Sequence, residues 1–185
     1  MSCFCNFLDY LKIRVTLATC VANRNSHYVK NMSKISCSIL TISDTRTPAD
    51  DKSGDLLSQY VVDAGHELHA RAIVKDDIYA IRAIASKWIA MPEVNVVITT
   101  GGTGFTGRDS TPEALKPLFD KNIEGFGELF RQISFEEIGT STIQSRAVGG
   151  LANGTLIFSL PGSSGAVTTG WTKILLNQLD INFRP

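Results

Sequence analysis

Short apolar runs alternate along the chain with segments whose apolar residues recur at helical spacing. Strands are predicted at residues 35–42, 67–74, 94–100 and 155–160. Helices are predicted at about 56–64, 77–90, 125–139 and 164–179, from Thr111 onward, and as a short piece within 141–149. This alternation predicts an α/β fold in three layers, with a mostly parallel sheet and helices on both faces.

Composition excludes several classes of protein. Among the 185 residues, Lys+Arg and Asp+Glu both number 18, and this balance argues against a nucleic-acid partner. No apolar run approaches the roughly 18 residues that a membrane span needs. Of the four cysteines only Cys37 lies beyond residue 20, which suits a reducing compartment, and we expect a cytoplasmic protein.

Residues 1–31 differ from the rest and predict a leader of doubtful structure before a domain at 32–185. Basic residues interrupt the apolar stretch, so a secretory signal does not fit, and a mitochondrial transit peptide fits only through the shortage of acids. The stretch has one acid, Asp9, and its basic residues are Lys12, Arg14, Arg24 and Lys30.

Three polar loops follow predicted strands, and ligands of such sheets bind beyond the carboxyl ends of the strands. We therefore expect the loops to meet at one edge of the sheet and to form a substrate-binding site. The candidates are Ser43, Asp44, Gly101, Gly102, Thr103, Gly104, Pro161, Gly162 and Ser163.

The loop TTGGTGFTGRDSTPEAL (99–115) carries the chemistry. Glycines after a buried strand let a ligand touch the main chain, and the helix start at Thr111-Pro112-Glu113 adds a positive end, so a phosphate site is one interpretation. The other interpretation is a tight turn without a ligand, since such turns also use glycine. The loop is neither a Walker A sequence nor G-x-G-x-x-G.

Acidic residues beside this loop suggest a cation. Asp109 could hold Mg²⁺ at a phosphate site, because Mg²⁺ takes one or two carboxylates plus phosphate oxygens. Asp44 and Asp76, at the ends of two strands, could add oxygens. The alternatives are a surface pair of Arg108 with Asp109, and a solvated loop start for Asp76.

Three separated segments in one order resemble the MoaB/MogA family of molybdenum-cofactor biosynthesis proteins. They are TTGGTGFTGRDSTPEAL, GFGELFRQISFEEIGTSTIQSRAVGG (125–150) and LIFSLPGSSGA (156–166), and the resemblance runs from about Ser36 to Leu179. The gephyrin G domain and plant molybdopterin-binding domains are related. The SFEEIGTST stretch is more similar to MoaB than to MogA.

The resemblance implies a molybdopterin-binding fold, a homotrimer or homohexamer, and adenylylation of molybdopterin by ATP with Mg²⁺, which releases pyrophosphate. It also implies roles for individual residues. Asp109 and Asp76 match carboxylates of catalysis or metal binding, Gly101–Gly104 match a phosphate turn, and the loops at Ser43-Asp44 and 161–163 match the pocket wall. Arg146 matches a residue near the pocket, where it could contact phosphate or form an interface salt bridge.

Two other functions stay open at this point. A protein of the same fold could bind molybdopterin, or hand it on, without adenylylating it. A generic nucleotide-binding regulator would account for the glycine turn but leaves the other two loops unexplained.

Overall fold

The computed structural model describes residues 34–180, so the leader predicted at 1–31 lies outside the described residues. No helix in this range is long and apolar enough to cross a bilayer. The elements in chain order are β1 (Ser36–Ile42), α1 (Lys52–Asp63), β2 (Glu67–Val74), α2 (Ile78–Ala90), β3 (Val96–Thr100), α3 (Thr111–Leu115), β4 (Lys121–Asn122), α4 (Glu124–Ile138), β5 (Val148–Ala152), β6 (Thr155–Leu160), α5 (Ser164–Gly170) and α6 (Leu176–Leu179), with a π-helical segment at Trp171–Leu175.

The strands form one sheet in the order β2-β1-β3-β6-β5-β4. Strands β2, β1, β3 and β6 are parallel, whereas β5 and β4 run antiparallel to their neighbours. The predicted mostly parallel sheet is therefore confirmed. The carboxyl ends of the four parallel strands lie at one edge, and the loops that follow them start there.

Each face of the sheet is covered by a separate apolar cluster, as the predicted three layers require. On one face α1, α4 and the C-terminal helices pack through Leu57, Phe130 and Trp171. Tyr60 stacks on Trp171 with ring centroids 5.9 Å apart. On the other face α2 and α3 pack through Trp88 and Leu115. Burial on both sides explains why the central strands are apolar at nearly every position.

Two helices differ from the predictions, one in where it begins and one in its length and its cap. Helix α1 begins at Lys52 rather than near residue 56, because the Asp51 side chain accepts a hydrogen bond from the Gly54 backbone N–H and caps it. Helix α3 begins at Thr111 but has only five residues, and Thr111 does not cap it. Instead the Thr111 hydroxyl donates to the Gly101 carbonyl oxygen at 2.9 Å, which ties the helix to the glycine turn.

The predicted short helix at 141–149 is only partly present. A 3₁₀-helix ends at Gln144, and the chain then enters β5, which the sequence reading missed together with β4. Strand β5 contains Gly149 and Gly150, and a Cβ on Gly150 would overlap the ring of Phe119. The glycines that weaken a strand signal are thus required by packing. The strand at 155–160 is consequently the sixth, not the fourth.

Asp51 is a buried carboxylate that joins β1, β2 and the loop after β1. Its oxygens accept from Thr41 Oγ1 at 2.6 Å, from Arg71 Nη2 at 2.7 Å and from Arg46 Nη1 at 3.4 Å. Burial raises the pKa of this carboxyl, but the hydrogen bonds from Thr41, Arg71 and the Gly54 N–H outweigh it and lower the pKa below its usual value. Asp51 is therefore a structural anion in a place where the sequence suggested a loop.

We expect Asp51→Ala to reduce the free energy of unfolding by about 3 kcal/mol, because it removes one partner of a buried ion pair. Asp55→Ala is the matched control: Asp55 also pairs with Arg71 but its side chain is 60% exposed, so we expect a change below about 1 kcal/mol. Urea unfolding at one protein concentration measures both. Equal effects of the two substitutions would contradict the role of Asp51.

The same contact predicts a pH dependence. The folded-state pKa of Asp51 lies below the unfolded value of about 3.9, so its contribution is complete at about pH 5 and above. It is lost as the pH falls through the folded-state pKa. The stability difference between wild type and Asp51→Ala should therefore shrink on acidification below about pH 4.

Candidate functional site

The loops after β1, β3 and β6 meet at one edge of the sheet, as the sequence predicted. Gly101 N donates to the carbonyl oxygen of Leu160 at 3.0 Å, and Thr100 Oγ1 donates to that of Pro161 at 3.2 Å. Arg46 Nη2 reaches across from the first loop and donates to the Gly162 carbonyl oxygen at 2.9 Å. The three loops therefore form one connected rim.

The glycine turn is crowded by the protein's own atoms. Gly101 and Gly102 have φ values of 104° and 63°, which glycine adopts without strain. A Cβ on Gly101 would overlap the carbonyl oxygen of Ile42, and one on Gly102 would lie 2.5 Å from Asp76 Oδ2. The sequence left two interpretations of the missing side chains open, the approach of a ligand and a tight turn. In the structure, close contacts within the protein account for them at these two positions.

Asp76 and Asp109 lie against the same turn, Asp76 beside Gly102 and Asp109 beside Gly104. Asp76 Oδ1 accepts from Ser110 N at 2.9 Å and from Ser110 Oγ at 2.6 Å. Asp109 Oδ2 accepts from Thr106 N at 2.9 Å and from Thr106 Oγ1 at 2.6 Å, and it would lie 2.8 Å from a Cβ on Gly104. One oxygen of each carboxylate thus anchors the turn, and the second remains beside it.

Asp109 is held as an anion. Burial raises the pKa of its carboxyl, but the hydrogen bonds from Thr106 and from the Gly104 backbone N–H, and after them the charge of Arg146, outweigh this and lower the pKa below its usual value. The side chain is therefore ionised at neutral pH. A carboxylate in this state can attract a cation or orient a donor on a ligand.

The two alternatives weighed for these acids do not describe the structure. Arg108 pairs with Asp44 at 2.6 Å rather than with Asp109. Asp44 also accepts a hydrogen bond from the Asp76 backbone N–H at 3.3 Å, so the loop after β1 is joined to the loop after β2. Asp77, not Asp76, is the ordinary helix cap: it accepts from the N–H groups of the first turn of α2. Asp76 turns instead toward the glycines.

Arg146 holds the glycine turn from the other side. Its Nε donates to the carbonyl oxygens of Thr103 at 3.2 Å and Gly104 at 2.7 Å, and its Nη2 donates to that of Asp109 at 2.9 Å. Its Nη1 pairs with the Glu113 carboxylate in the same chain. These bonds use three of the five N–H groups of the guanidinium, and one on each terminal nitrogen remains for a further acceptor.

Two predicted binding residues have local structural partners. Ser43 Oγ accepts from the backbone N–H of Arg46 at 3.2 Å and so shapes the first loop. Ser163 Oγ accepts from Ala166 N at 3.2 Å and caps α5. Both residues are nonetheless part of the rim, beside Gly162, whose added Cβ would lie 3.2 Å from Gly101 Cα.

Two cavities open near the rim. One of about 580 Å³ lies between α3, α4 and β5 and adjoins the turn through Arg146; its charged and polar lining includes Glu113, Lys116, Asn122, Glu124, Glu128, Arg131 and Ser145. Another of about 530 Å³ adjoins the first loop and the end of β2; its lining includes Ser43, Asp44, Arg46, Arg71 and Lys75. Within residues 34–180 no group of three or more His, Cys, Asp or Glu side chains is arranged to hold a metal ion by itself.

Sequence reasoning missed the residues that fix the acids in place. Thr106 and Ser110 hold Asp109 and Asp76, and Arg46 bridges two loops. A signal existed for Thr106, because a Thr three residues before an Asp in a glycine-rich turn is spaced for a local hydrogen bond. The partners of Asp76 and Arg46 are distant in sequence, and no local pattern indicates them.

The chain resembles known proteins over most of its length. The family described as "Probable molybdopterin binding domain" matches residues 38–180. Molybdenum cofactor biosynthesis protein B of Escherichia coli K12 is 57% identical over 147 residues, which cover 80% of this chain and 86% of that protein. The protein of the same name from Bacillus cereus is 49% identical and covers 79% and 87%.

Solved structures agree with this assignment. A crystal structure of Molybdenum cofactor biosynthesis protein B has a TM-score of 0.78 at 48% identity and covers 81% of this chain and 94% of that one. The tungsten cofactor synthesizing protein MoaB from Pyrococcus furiosus has a TM-score of 0.71 at 38% identity and covers 78% and 92%. With its sheet order, its glycine turn and these matches, the chain belongs to the MoaB/MogA family of molybdenum-cofactor biosynthesis proteins.

Proposed function

We propose that the protein binds molybdopterin and adenylylates it with ATP and Mg²⁺. A terminal phosphate oxygen of molybdopterin attacks the α-phosphorus of ATP and forms a new P–O bond. The bond from the α-phosphorus to the α,β-bridging oxygen breaks, and pyrophosphate leaves. The products are adenylyl-molybdopterin and pyrophosphate.

One observation carries the proposal: Asp76 and Asp109 come from loops far apart in sequence and lie against one glycine turn. Each carboxylate is fixed by two hydrogen bonds, from Ser110 and from Thr106. Transfer between two polyanions needs aligned oxygens and cancelled charge rather than covalent help from the protein. A rigid pair of acids beside main-chain donors suits that task.

The residues present fit a magnesium ion that arrives with ATP. Mg²⁺ in nucleotide sites is bound by one or two carboxylates together with phosphate oxygens and water, not by a full protein cage. Asp76 and Asp109 supply two carboxylates, and each has one oxygen outside the hydrogen bonds to Ser110 and Thr106. When bound there, the ion would neutralise the phosphate charge that develops during transfer.

The remaining rim residues would position the phosphates. The main chain of Gly101, Gly102, Thr103 and Gly104 packs against Asp76, Asp109 and Arg146, and Arg146 keeps two N–H groups for a phosphate oxygen. Asp44, Pro161, Gly162 and Ser163 would close the opposite side, where Arg46 joins the two loops. We assign these positions to substrate binding on their place at the rim.

The cavity of about 580 Å³ is our candidate for the pterin, since its size falls in the range of small-molecule sites. The amino and ring N–H groups of a pterin lie side by side and can each donate a hydrogen bond to one oxygen of the same carboxylate. Glu124 and Glu128 line the cavity and could serve, and Arg131 adds a cation for the phosphate.

The second candidate function is molybdopterin binding without catalysis. The observation that favours it is that hydrogen bonds from Arg146, Ser110 and Thr106, all groups of the protein itself, hold the turn and its two acids in place. Such a preformed platform could store or hand on the pterin. A generic nucleotide-binding regulator is not carried forward, because it gives no role to the loops at Ser43 and Gly162.

We also propose a homotrimer or homohexamer. Ile138 at the end of α4 and Ile143 in the following 3₁₀-helix are 51% and 67% exposed in the single chain. Large exposed aliphatic residues close together are typical of subunit contacts. Their burial in an assembly would also place α4, which lines the larger cavity, at a subunit boundary.

We expect Asp109→Asn and Asp76→Asn each to lower the rate of pyrophosphate release from ATP by at least about 100-fold, because each removes a negative charge that would hold Mg²⁺ beside the transferred adenylyl group. Asparagine keeps a carbonyl oxygen for Thr106 or Ser110, so the fold and the subunit assembly should be unchanged. The measurement is pyrophosphate release with molybdopterin, ATP and Mg²⁺.

Asp77→Asn is the matched control, since Asp77 adjoins Asp76 but only caps α2, and asparagine caps helices equally well. Its rate should stay within about twofold of wild type. A normal rate in Asp109→Asn would contradict the role proposed for that carboxylate.

The wild-type protein separates the two candidate functions. We expect pyrophosphate to form only when molybdopterin, ATP and Mg²⁺ are all present, and to equal the adenylyl-molybdopterin formed. Molybdopterin binding without pyrophosphate, at saturating ATP and Mg²⁺, would favour the binding protein. The apo protein with ATP alone is the control for ordinary ATP hydrolysis.

A further inference from the structure

Phe105 stands at the tip of the glycine turn and is 61% exposed. Exposure of a large apolar side chain to water is unfavourable, and a ligand that covered the ring would remove that apolar surface from water. Gly104 precedes Phe105, and two positions further on a Cβ on Gly107 would meet nothing within 4 Å. Most of the Phe105 side chain is therefore open to solvent.

The backbone on both sides of Phe105 is fixed. Arg146 Nε donates to the carbonyl oxygen of Gly104 at 2.7 Å, and Thr106 N donates to Asp109 Oδ2 at 2.9 Å. Asp109 N in turn donates to the Thr106 carbonyl oxygen at 3.0 Å. Phe105 is thus a side chain on a short, cross-linked turn rather than on a loose loop, and its ring is presented in a defined place.

One face of the ring already has a partner. The Arg146 guanidinium carbon lies 5.9 Å over the ring centroid, within the range of a cation–π contact. This contact steadies the ring from one side and leaves the other face for a flat ligand. Arg146 also donates to the main-chain carbonyl oxygen of Asp109 in the same turn, so one guanidinium contacts both the ring and the turn.

We infer that Phe105 is a stacking platform for the adenine ring of ATP, since the pterin is assigned to the cavity of about 580 Å³, which Phe105 does not line. The inference rests on the proposed function, because it needs such a ligand at this rim. An aromatic side chain stacks on any flat π-system and gives affinity without requiring a particular hydrogen-bond pattern. The carboxylates and the turn then act on the phosphates, while Phe105 acts on the ring.

The test is calorimetric titration of the full chain with three probes in the presence of Mg²⁺: ATP, inorganic tripolyphosphate and 6-hydroxymethylpterin. Tripolyphosphate carries the charge of ATP without a ring, and the pterin carries a ring without phosphate. In Phe105→Leu we expect about tenfold or more weaker binding of ATP, with the affinities for tripolyphosphate and for the pterin unchanged.

Two further variants keep the test specific. Phe105→Tyr retains the π face and should bind within about twofold of wild type. Phe135→Leu makes the same change at a phenylalanine that is 56% exposed on α4, and it should alter none of the three affinities. Because Phe105 is exposed, Phe105→Leu should also leave the melting temperature and the number of chains in the assembly unchanged.

The inference is overturned if Phe105→Leu binds ATP as wild type does, or if the substitution weakens the binding of tripolyphosphate or of the pterin to the same extent as that of ATP. A change in the number of chains in the assembly would instead make Phe105 a contact between chains, and this result would also overturn the inference. If wild type itself bound neither ATP nor the pterin, the proposed function would fail, and the stacking role with it.

Discussion

The rim depends on a single steric condition: the turn after β3 has no Cβ atoms at Gly101, Gly102 and Gly104. That absence lets the Ile42 carbonyl, Asp76 and Asp109 pack directly on the main chain. The two acids in turn accept hydrogen bonds from Ser110 and Thr106 and so fix the segment that leads into α3. Turn and carboxylates therefore hold each other in place, and neither arrangement is available without the other.

Charge is organised locally although the chain has no formal net charge. Asp44 forms an ion pair with Arg108 and Glu113 with Arg146, while Asp76 and Asp109 accept hydrogen bonds from Ser110 and Thr106 and form no ion pair of their own among the described residues. The first two acids thus have a cation of the protein as partner, and the last two do not. If the proposed function holds, this division would let a protein without a basic excess hold phosphates beside carboxylates, because the two acids without an ion pair suit a cation that accompanies the phosphates.

The sequence predicted what is encoded by local pattern. Strands β1, β2 and β3 and helix α2 follow from apolar periodicity, and the meeting of the loops follows from the direction of parallel strands. Helix α1 begins earlier than predicted because Asp51 caps it. The ion pairs of Asp51 are with Arg46 and Arg71, which lie 5 and 20 positions away in the sequence. Strand β5 was missed because its glycines are needed by rings packed from elsewhere in the fold. Such tertiary requirements leave no periodic trace.

The glycine turn illustrates the limit most clearly. A glycine that makes room for a ligand and a glycine that makes room for a carboxylate look the same in a sequence, because both record only the absence of a Cβ. The structure separates them: Gly102 is needed by Asp76 and by the Thr111 hydroxyl, and its φ of 63° disfavours other residues in any case. A bulky residue at Gly102 would disturb the turn and Asp76 together, so loss of binding would not reveal which contact mattered. Isosteric changes of the acids leave the turn intact, and only these can assign the chemistry to a particular atom.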